Sequence, residues 1–340
     1  METMAPEAAG GQPAKRRSAL GTLGMVLRVA VSAALVAWIL RRAPLGEVLA
    51  AFRKADLRFV LLSIALNPLG YWASVSRWRL LLRSQGGDAS FPFLLRSFLV
   101  GVFFNNLLPS TIGGDVIRAV DTSRSGVSRA QAVAIVFVDR FLGLLTLMLI
   151  AVAGLLVSGR LMERVPALAA WVLGGGAFMA ILAGLLFLPS RRAADRLARI
   201  RHGRLGKAAA AARAFQGKGS VLLRAFGWSL LLQGAVVLNG YCLARAFHVA
   251  IPLPYFFLIV PLALFVMMVP ISINAIGVRE NVLAFFFAPF GVAGATAVAV
   301  AWLDYGLVLV QALLGGIVWV WARRPGYAAR ARLPAEEAVR

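Results

Sequence analysis

The number and length of its uncharged apolar runs constrain this chain most. Ala132–Val138, Phe141–Val157, Ala167–Leu188 and Val292–Trp321 carry few or no charges. A bilayer core takes a helix of about 20 apolar residues. No soluble fold has room to bury this many helices that are apolar on every side. Hydrophobic residues make up 60% of the 340 and charged residues 15%, where soluble domains carry about 25% charged residues. The expectation is therefore an all-α, polytopic transmembrane helix bundle. Its spans fall near 20–40, 58–82, 93–108, 130–157, 167–188, 220–247, 255–270 and 294–322, about six to eight crossings depending on how two of them are broken.

The formal net charge of +22 would suggest nucleic acid in a soluble protein. Here the basic residues lie between apolar spans, so they read as topology signals and contacts to anionic lipid headgroups. No nucleic-acid partner is expected. Cys242 is the one cysteine and sits in an apolar stretch, and His202 and His248 are far apart. Neither a metal site nor a cofactor is expected.

Residues 1–18 read as a disordered cytoplasmic N-terminus, 19–325 as a single transmembrane domain and 326–340 as a cytoplasmic tail. The stretch near 189–218 carries nine Lys/Arg from 190 onward against one Asp, which places it in the cytoplasm. Residues 41–58 hold five Lys/Arg and two acids, yet alternation of the spans puts them outside. An interfacial helix over GEVLAAFRKADLRF is the expected accommodation.

Two segments interrupt the spans. Asn105–Arg118 (NNLLPSTIGGDVIR) and Pro270–Glu280 (PISINAIGVRE) each run from apolar helix through a Pro/Ser break and Ile-Gly to an Arg beside an acid. Broken helices at matching positions in two halves are a signature of repeat-built transporters. Drawn as re-entrant hairpins near 92–128 and 254–291, they enter from opposite faces, an inverted repeat. Irregular backbone at membrane depth is tolerated where it lines a cavity. The candidate headgroup site is therefore Asn105, Asn106, Pro109, Ser110, Gly113, Gly114, Asp115 and Arg118 with Pro270, Ser272, Asn274, Gly277, Arg279 and Glu280. A helix start after Gly113-Gly114 favours an anion, and Arg118 adds a permanent charge. The plain structural alternative is a cap with an Arg118–Asp115 pair.

Asp139-Arg140 is embedded in a span, where charges face a partner or a polar cavity. Asp139 is expected to pair with Arg118 or Arg279. Asp304 is a weaker candidate of the same kind. Arg77-Trp78-Arg79 read first as interfacial anchors, with headgroup contact by Arg77 and Arg79 as the alternative. Tyr71 and Asn67 make the middle of the second span unusually polar. Gly174-Gly175-Gly176 reads as a helix-packing surface.

Three stretches carry a resemblance to a known family: FNNLLPSTIGGDVIRA (Phe104–Ala119), GVSRAQAVAIVFVDRFLGLL (Gly126–Leu145) and VPISINAIGVRENVL (Val269–Leu283). In that order and spacing the chain resembles the lysylphosphatidylglycerol synthase transmembrane-region, or flippase-like domain, family. The resemblance implies a bacterial inner-membrane protein that moves a lipid between leaflets. Only the membrane part is matched, so aminoacyl transfer is not carried over and the chain is not expected to be an enzyme. The expected function is a flippase for a phospholipid, glycolipid or related amphiphile. Arg118 and Arg279 would hold phosphate, and Asp115, Asp139 and Glu280 would balance them or couple to protons. The alternatives are an accessory protein that positions a separately encoded lipid-synthesising enzyme, and an intramembrane transferase with Asp115 or Glu280 as base.

Overall fold

The computed structural model describes residues 19–42, 45–107, 113–157, 166–187 and 213–322. The expectations for the two termini, for most of the basic loop and for Pro109 and Ser110 lie outside the described residues. Those described form eleven α-helices: α1 (Ala19–Arg42), α2 (Leu45–Arg53), α3 (Leu57–Ser84), α4 (Phe91–Leu107), α5 (Gly113–Ser123), α6 (Arg129–Val157), α7 (Pro166–Phe187), α8 (Gly219–Ala246), α9 (Leu253–Met267), α10 (Val278–Phe287) and α11 (Gly294–Ala322). Helices α3, α6, α8 and α11 are long and apolar enough to cross a membrane, while α4, α7 and α9 are shorter apolar helices. Their outer faces present Leu61, Phe178, Leu223, Leu313 and Ile317, each more than half exposed. Apolar surface of that extent suits lipid and not water.

Two halves repeat. Helices α3 and α8 begin 162 residues apart, as do α4 and α9, and α5 and α10 begin 165 residues apart, as do α6 and α11. Lengths run 28, 17, 11 and 29 residues in the first half and 28, 15, 10 and 29 in the second. The halves are inverted, because α3 and α8 pack antiparallel. Ser63 Oγ donates to Asn239 Oδ1 (2.6 Å), Trp72 meets Trp228 edge-on, and Arg77 donates to Ser229 Oγ (2.8 Å). From Ser63 to the Trp72–Arg77 stretch the α3 number rises while the α8 partner falls from 239 to 228–229.

Each hairpin returns to the face it left. The Asp88 N–H at the start of the first donates to Ser125 O at its end (3.1 Å). Arg83 hydrogen-bonds Asp88 there and holds its carboxyl below the usual carboxylate range. In the second, Tyr255 and Phe290 close the base with ring centroids 4.9 Å apart. Two hydrophobic cores follow. Trp78, Leu81, Leu94, Ile135 and Phe215 pack at one end of the α3–α8 pair. Val48, Leu243, Phe256, Phe287 and Val298 pack at the other. Of the GEVLAAFRKADLRF stretch, where an interfacial helix is expected, residues up to Arg53 lie in the short helix α2 and the end lies in α3. Helix α2 buries Val48 in the second core and leaves Leu45 and Leu49 exposed.

Glycines let the halves interlock. A Cβ on Gly154 of α6 would overlap the backbone of Phe257 and Leu258 in α9. A Cβ on Gly315 of α11 would overlap the backbone of Leu99 in α4. Both join a hairpin helix to the opposite half's long helix, at positions about one turn apart in the repeat. Two glycines of the run in α7 pack on α6, Gly175 on Met148 and Gly176 on Val152, while Gly174 faces open space.

Candidate functional site

Pro68 interrupts α3 at its middle and removes one backbone donor. The neighbouring Asn67 amide turns back to Ser63 O (3.0 Å). One turn on, the same face carries Tyr71, Ser74 and Arg77. Facing it are Asn105 from α4, Arg118 from α5, Asp139 and Arg140 from α6, Gln233 and Asn239 from α8 and Gln311 from α11. Together with apolar side chains they enclose a cavity of about 500 Å³ between the two cores.

At its wall stands a buried charge triad. Asp139 accepts from Arg77 Nε at Oδ1 (2.6 Å) and from an Arg118 terminal nitrogen at Oδ2 (3.0 Å). The exposures are 4% for Arg77, 6% for Arg118 and 0% for Asp139. Arg118 lies over the Trp78 ring, 4.4 Å from its centroid. Trp78 in turn donates to Thr122 Oγ1 (3.1 Å), and Thr122 donates to Arg118 O (2.6 Å). The aromatic face and the carboxylate thus fix the guanidinium from two directions.

Arg77 and Trp78 do not form the expected interfacial anchor. The α3–α8 packing draws that helix end into the first core, and Trp78 is fully buried. Arg79 bonds Ala89 O (3.1 Å) and holds the hairpin base, away from the cavity wall. Asp115 does not pair with Arg118. It takes Arg140 in a fork, with contacts of 2.8 to 3.1 Å. Gly113 opens α5. Gly114 seats directly on Gly101, and its N–H donates to Asn105 Oδ1 (2.7 Å).

The second half carries a counterpart. Asp304 occupies the α11 position that corresponds to Asp139 in α6, 165 residues on, and it pairs with Arg279 (2.7 Å). So Arg279 takes Asp304 and not Asp139, because the two lie in the same half. Arg279 also stacks on Tyr305, 5.0 Å from the ring centroid. This pair lines a smaller cavity of about 80 Å³ that shares Val236, Asn239 and Leu264 with the larger one. Glu280 is buried and committed. It accepts from the Gly277 N–H (2.8 Å) at the start of α10 and from Trp302 Nε1 (3.2 Å). Gly277 adopts φ +81°, which glycine accommodates freely. Pro270 is exposed and Ser272 buried, and neither lines either cavity.

The hairpin tips meet. The Asn274 amide donates to Asn106 O at 2.9 Å. The two broken segments therefore converge at one depth, but the larger cavity draws its charged groups from the first half alone, at α3, α5 and α6. Sequence reasoning missed Gln233, Asn239 and Gln311. Their signal is an isolated amide inside an apolar span, two of them in α8 and one in α11.

An inverted pair of hairpins around buried charge defines a polytopic helical membrane protein. The chain belongs to the lysylphosphatidylglycerol synthase transmembrane-region family, which it matches over residues 25–315. It is 24% identical over 322 residues to a UPF0104 membrane protein of Pyrococcus horikoshii, covering 86% of this chain and 95% of that one. It is 35% identical over 131 residues to a UPF0104 membrane protein of Methanothermobacter thermautotrophicus, 38% of each chain.

Proposed function

We propose that this protein is a lipid flippase or transporter. It moves the polar headgroup of an amphiphile through the cavity while the acyl chains stay in lipid. The observation that carries this reading is the Arg77–Asp139–Arg118 triad on a cavity of about 500 Å³ at the depth where the hairpin tips touch. Buried charge inside spans is costly, so it marks a binding path by default. A cavity of that size suits a headgroup. The inverted halves supply the movement. The first half's cavity is wide and its counterpart at Arg279–Asp304 is narrow, about 80 Å³. Exchanging the shapes of the two halves would close one and open the other, which is how inverted repeats give alternating access.

Membrane lipids are the proposed partners, and no bond-making step is assigned. The basic loop near 189–218 is proposed to face the cytoplasm, with the protein in a cytoplasmic membrane. Purified protein in liposomes that contain a labelled lipid provides the test. A flippase equilibrates label between leaflets unaided, and an Arg118→Ala/Arg279→Ala variant inserts but does not. Label that stays in its leaflet with the wild-type protein refutes the reading and favours a scaffold for a separate enzyme.

A further inference from the structure

The cavity's charge balance says which headgroup fits, granted that the cavity is a headgroup site as proposed above. Asp139 is the one carboxylate among the described residues that line it, and both of its oxygens are taken by Arg77 and Arg118. Two guanidinium groups against one carboxylate leave a single positive charge. Arg140 adds nothing to this balance, because Asp115 neutralises it through the fork. An uncompensated buried charge is costly, and the Arg118 Nε–H is buried with no partner among the described residues. A ligand carrying one negative charge completes the site. A phosphodiester does so. A phosphomonoester, near −2 at neutral pH, overshoots.

The rest of the wall selects for hydroxyls. Tyr71 Oη is buried and without a partner among the described residues. Asn67, Gln233, Asn239 and Gln311 line the same space. Asn67 and Asn239 each engage Ser63 with one polar atom, and their remaining amide groups with those of Gln233 and Gln311 supply donors and acceptors. Gln233 makes only a long contact to Gly143 O (3.3 Å). An ammonium or quaternary amine finds no uncommitted carboxylate there. A methylated amine would also leave Tyr71 without a partner, which costs free energy.

We infer that the cavity takes a monoanionic phosphodiester headgroup bearing hydroxyls and rejects cationic, aminoacylated headgroups. Arg118 and Arg77 hold the phosphodiester, and Tyr71, Gln233 and the nearby amides hold the hydroxyls. The substrate class thus departs from the aminoacylated lipid in the family's descriptive name.

Native mass spectrometry of the purified full chain in detergent tests this. The probes are four lipids with the same acyl chains: a glycerol phosphodiester, a methyl phosphodiester, a choline phosphodiester and a lysyl ester of the glycerol lipid. The glycerol lipid is expected to be retained most and the methyl lipid next, with choline and lysyl lipids at least about tenfold below the glycerol lipid. Tyr71→Phe should lower the glycerol-over-methyl preference about fivefold, the worth of one hydrogen bond. Should Tyr71→Phe fold poorly, Gln233→Met gives the same reading. Equal or better retention of the choline or lysyl lipid overturns the inference, as does a variant that lowers both anionic lipids alike. Displacement of the glycerol lipid by millimolar inorganic phosphate overturns its lipid source. Since retention needs no transport, selective binding without leaflet exchange refutes the flippase reading alone. Exchange without selectivity refutes the inference alone.

Discussion

The side chain of Asn274 donates to the backbone carbonyl of Asn106 across 2.9 Å, joining the tips of two hairpins that enter from opposite ends of the α3–α8 pair. The tip around Asn274 is under backbone strain, since Asn274 (φ 50°) and Ala275 (φ 57°) are consecutive left-handed residues. A non-glycine residue in that region costs about 1–2 kcal/mol. Such strain persists where surrounding structure holds it, as in switch regions.

Locking the tips together should therefore stop movement without emptying the cavity. In a Cys242→Ala background, Asn106→Cys and Asn274→Cys joined by a short bifunctional reagent should abolish leaflet exchange. With a bis-thiosulfonate reagent, whose linkages to the two cysteines are disulfides, reduction should restore exchange, as should omission of the reagent, and lipid retention in detergent should not change. Full exchange in the cross-linked protein would show that the tips do not move relative to each other. Separately, Ala275→Gly should raise thermal stability by about 0.5–1 kcal/mol, because glycine adopts that φ without strain.

The triad should behave as one unit in stability measurements. Asp139→Ala leaves Arg77 and Arg118 buried without a counter-ion, and breaking a buried pair in this way costs about 3–5 kcal/mol. Adding Arg77→Met to Asp139→Ala removes one of the stranded charges. The double variant should then recover part of the loss in a detergent melting curve, so that the two effects are far from additive. Additive losses would mean that Arg77 and Asp139 are not coupled.

The inverted repeat predicts matched sensitivities. Gly154→Ala and Gly315→Ala each push a methyl into the facing backbone of a hairpin helix, at α9 and α4 respectively. Overpacking of this kind costs about 1–3 kcal/mol. A Cβ added at Gly306 in α11 would meet nothing within 4 Å, so Gly306→Ala should be neutral or slightly stabilising through helix propensity. Comparable losses at Gly154 and Gly315 with none at Gly306, read from melting curves, would bear out the repeat at the level of packing.

The spans and the hairpins were legible because each leaves a local trace. Run length marks α3, α6, α8 and α11, and the Pro/Ser breaks with Ile-Gly mark both tips. The site was legible only in part. Asp139 and Arg118 stand out as charges beside or inside spans. Their connection to Arg77 depends on α3 folding its end against α6, 62 residues away in sequence at that contact, and no local pattern encodes it. Glu280 misled for the opposite reason. Its spacing from Gly277 marks a helix cap as well as a site, and the cap is what forms. Gln233 and Asn239 were overlooked because two scattered amides in a 28-residue helix look incidental until the helix's facing side is known.

The second half supplies the last test, because it separates binding from movement. Arg279 and Asp304 form an ion pair whose side chains are 14% and 32% exposed, on the narrow cavity and away from the triad. Arg279→Gln leaves the Asp304 carboxylate within α11 without its cation. Arg279→Gln/Asp304→Asn removes both charges and keeps similar volume, so it should fold nearly as well as the wild type. If the narrow cavity is the second station of the path, the double variant retains lipid in the wide cavity but exchanges it between leaflets at least about tenfold more slowly, because the headgroup meets no charged partner after the halves exchange shape. The paired measurements are lipid retention in detergent and leaflet exchange in liposomes. Exchange at the wild-type rate would reduce Arg279–Asp304 to a structural pair and leave the Arg77–Asp139–Arg118 triad to act alone. The double variant would then inform on stability only, through the melting curve already used for the triad.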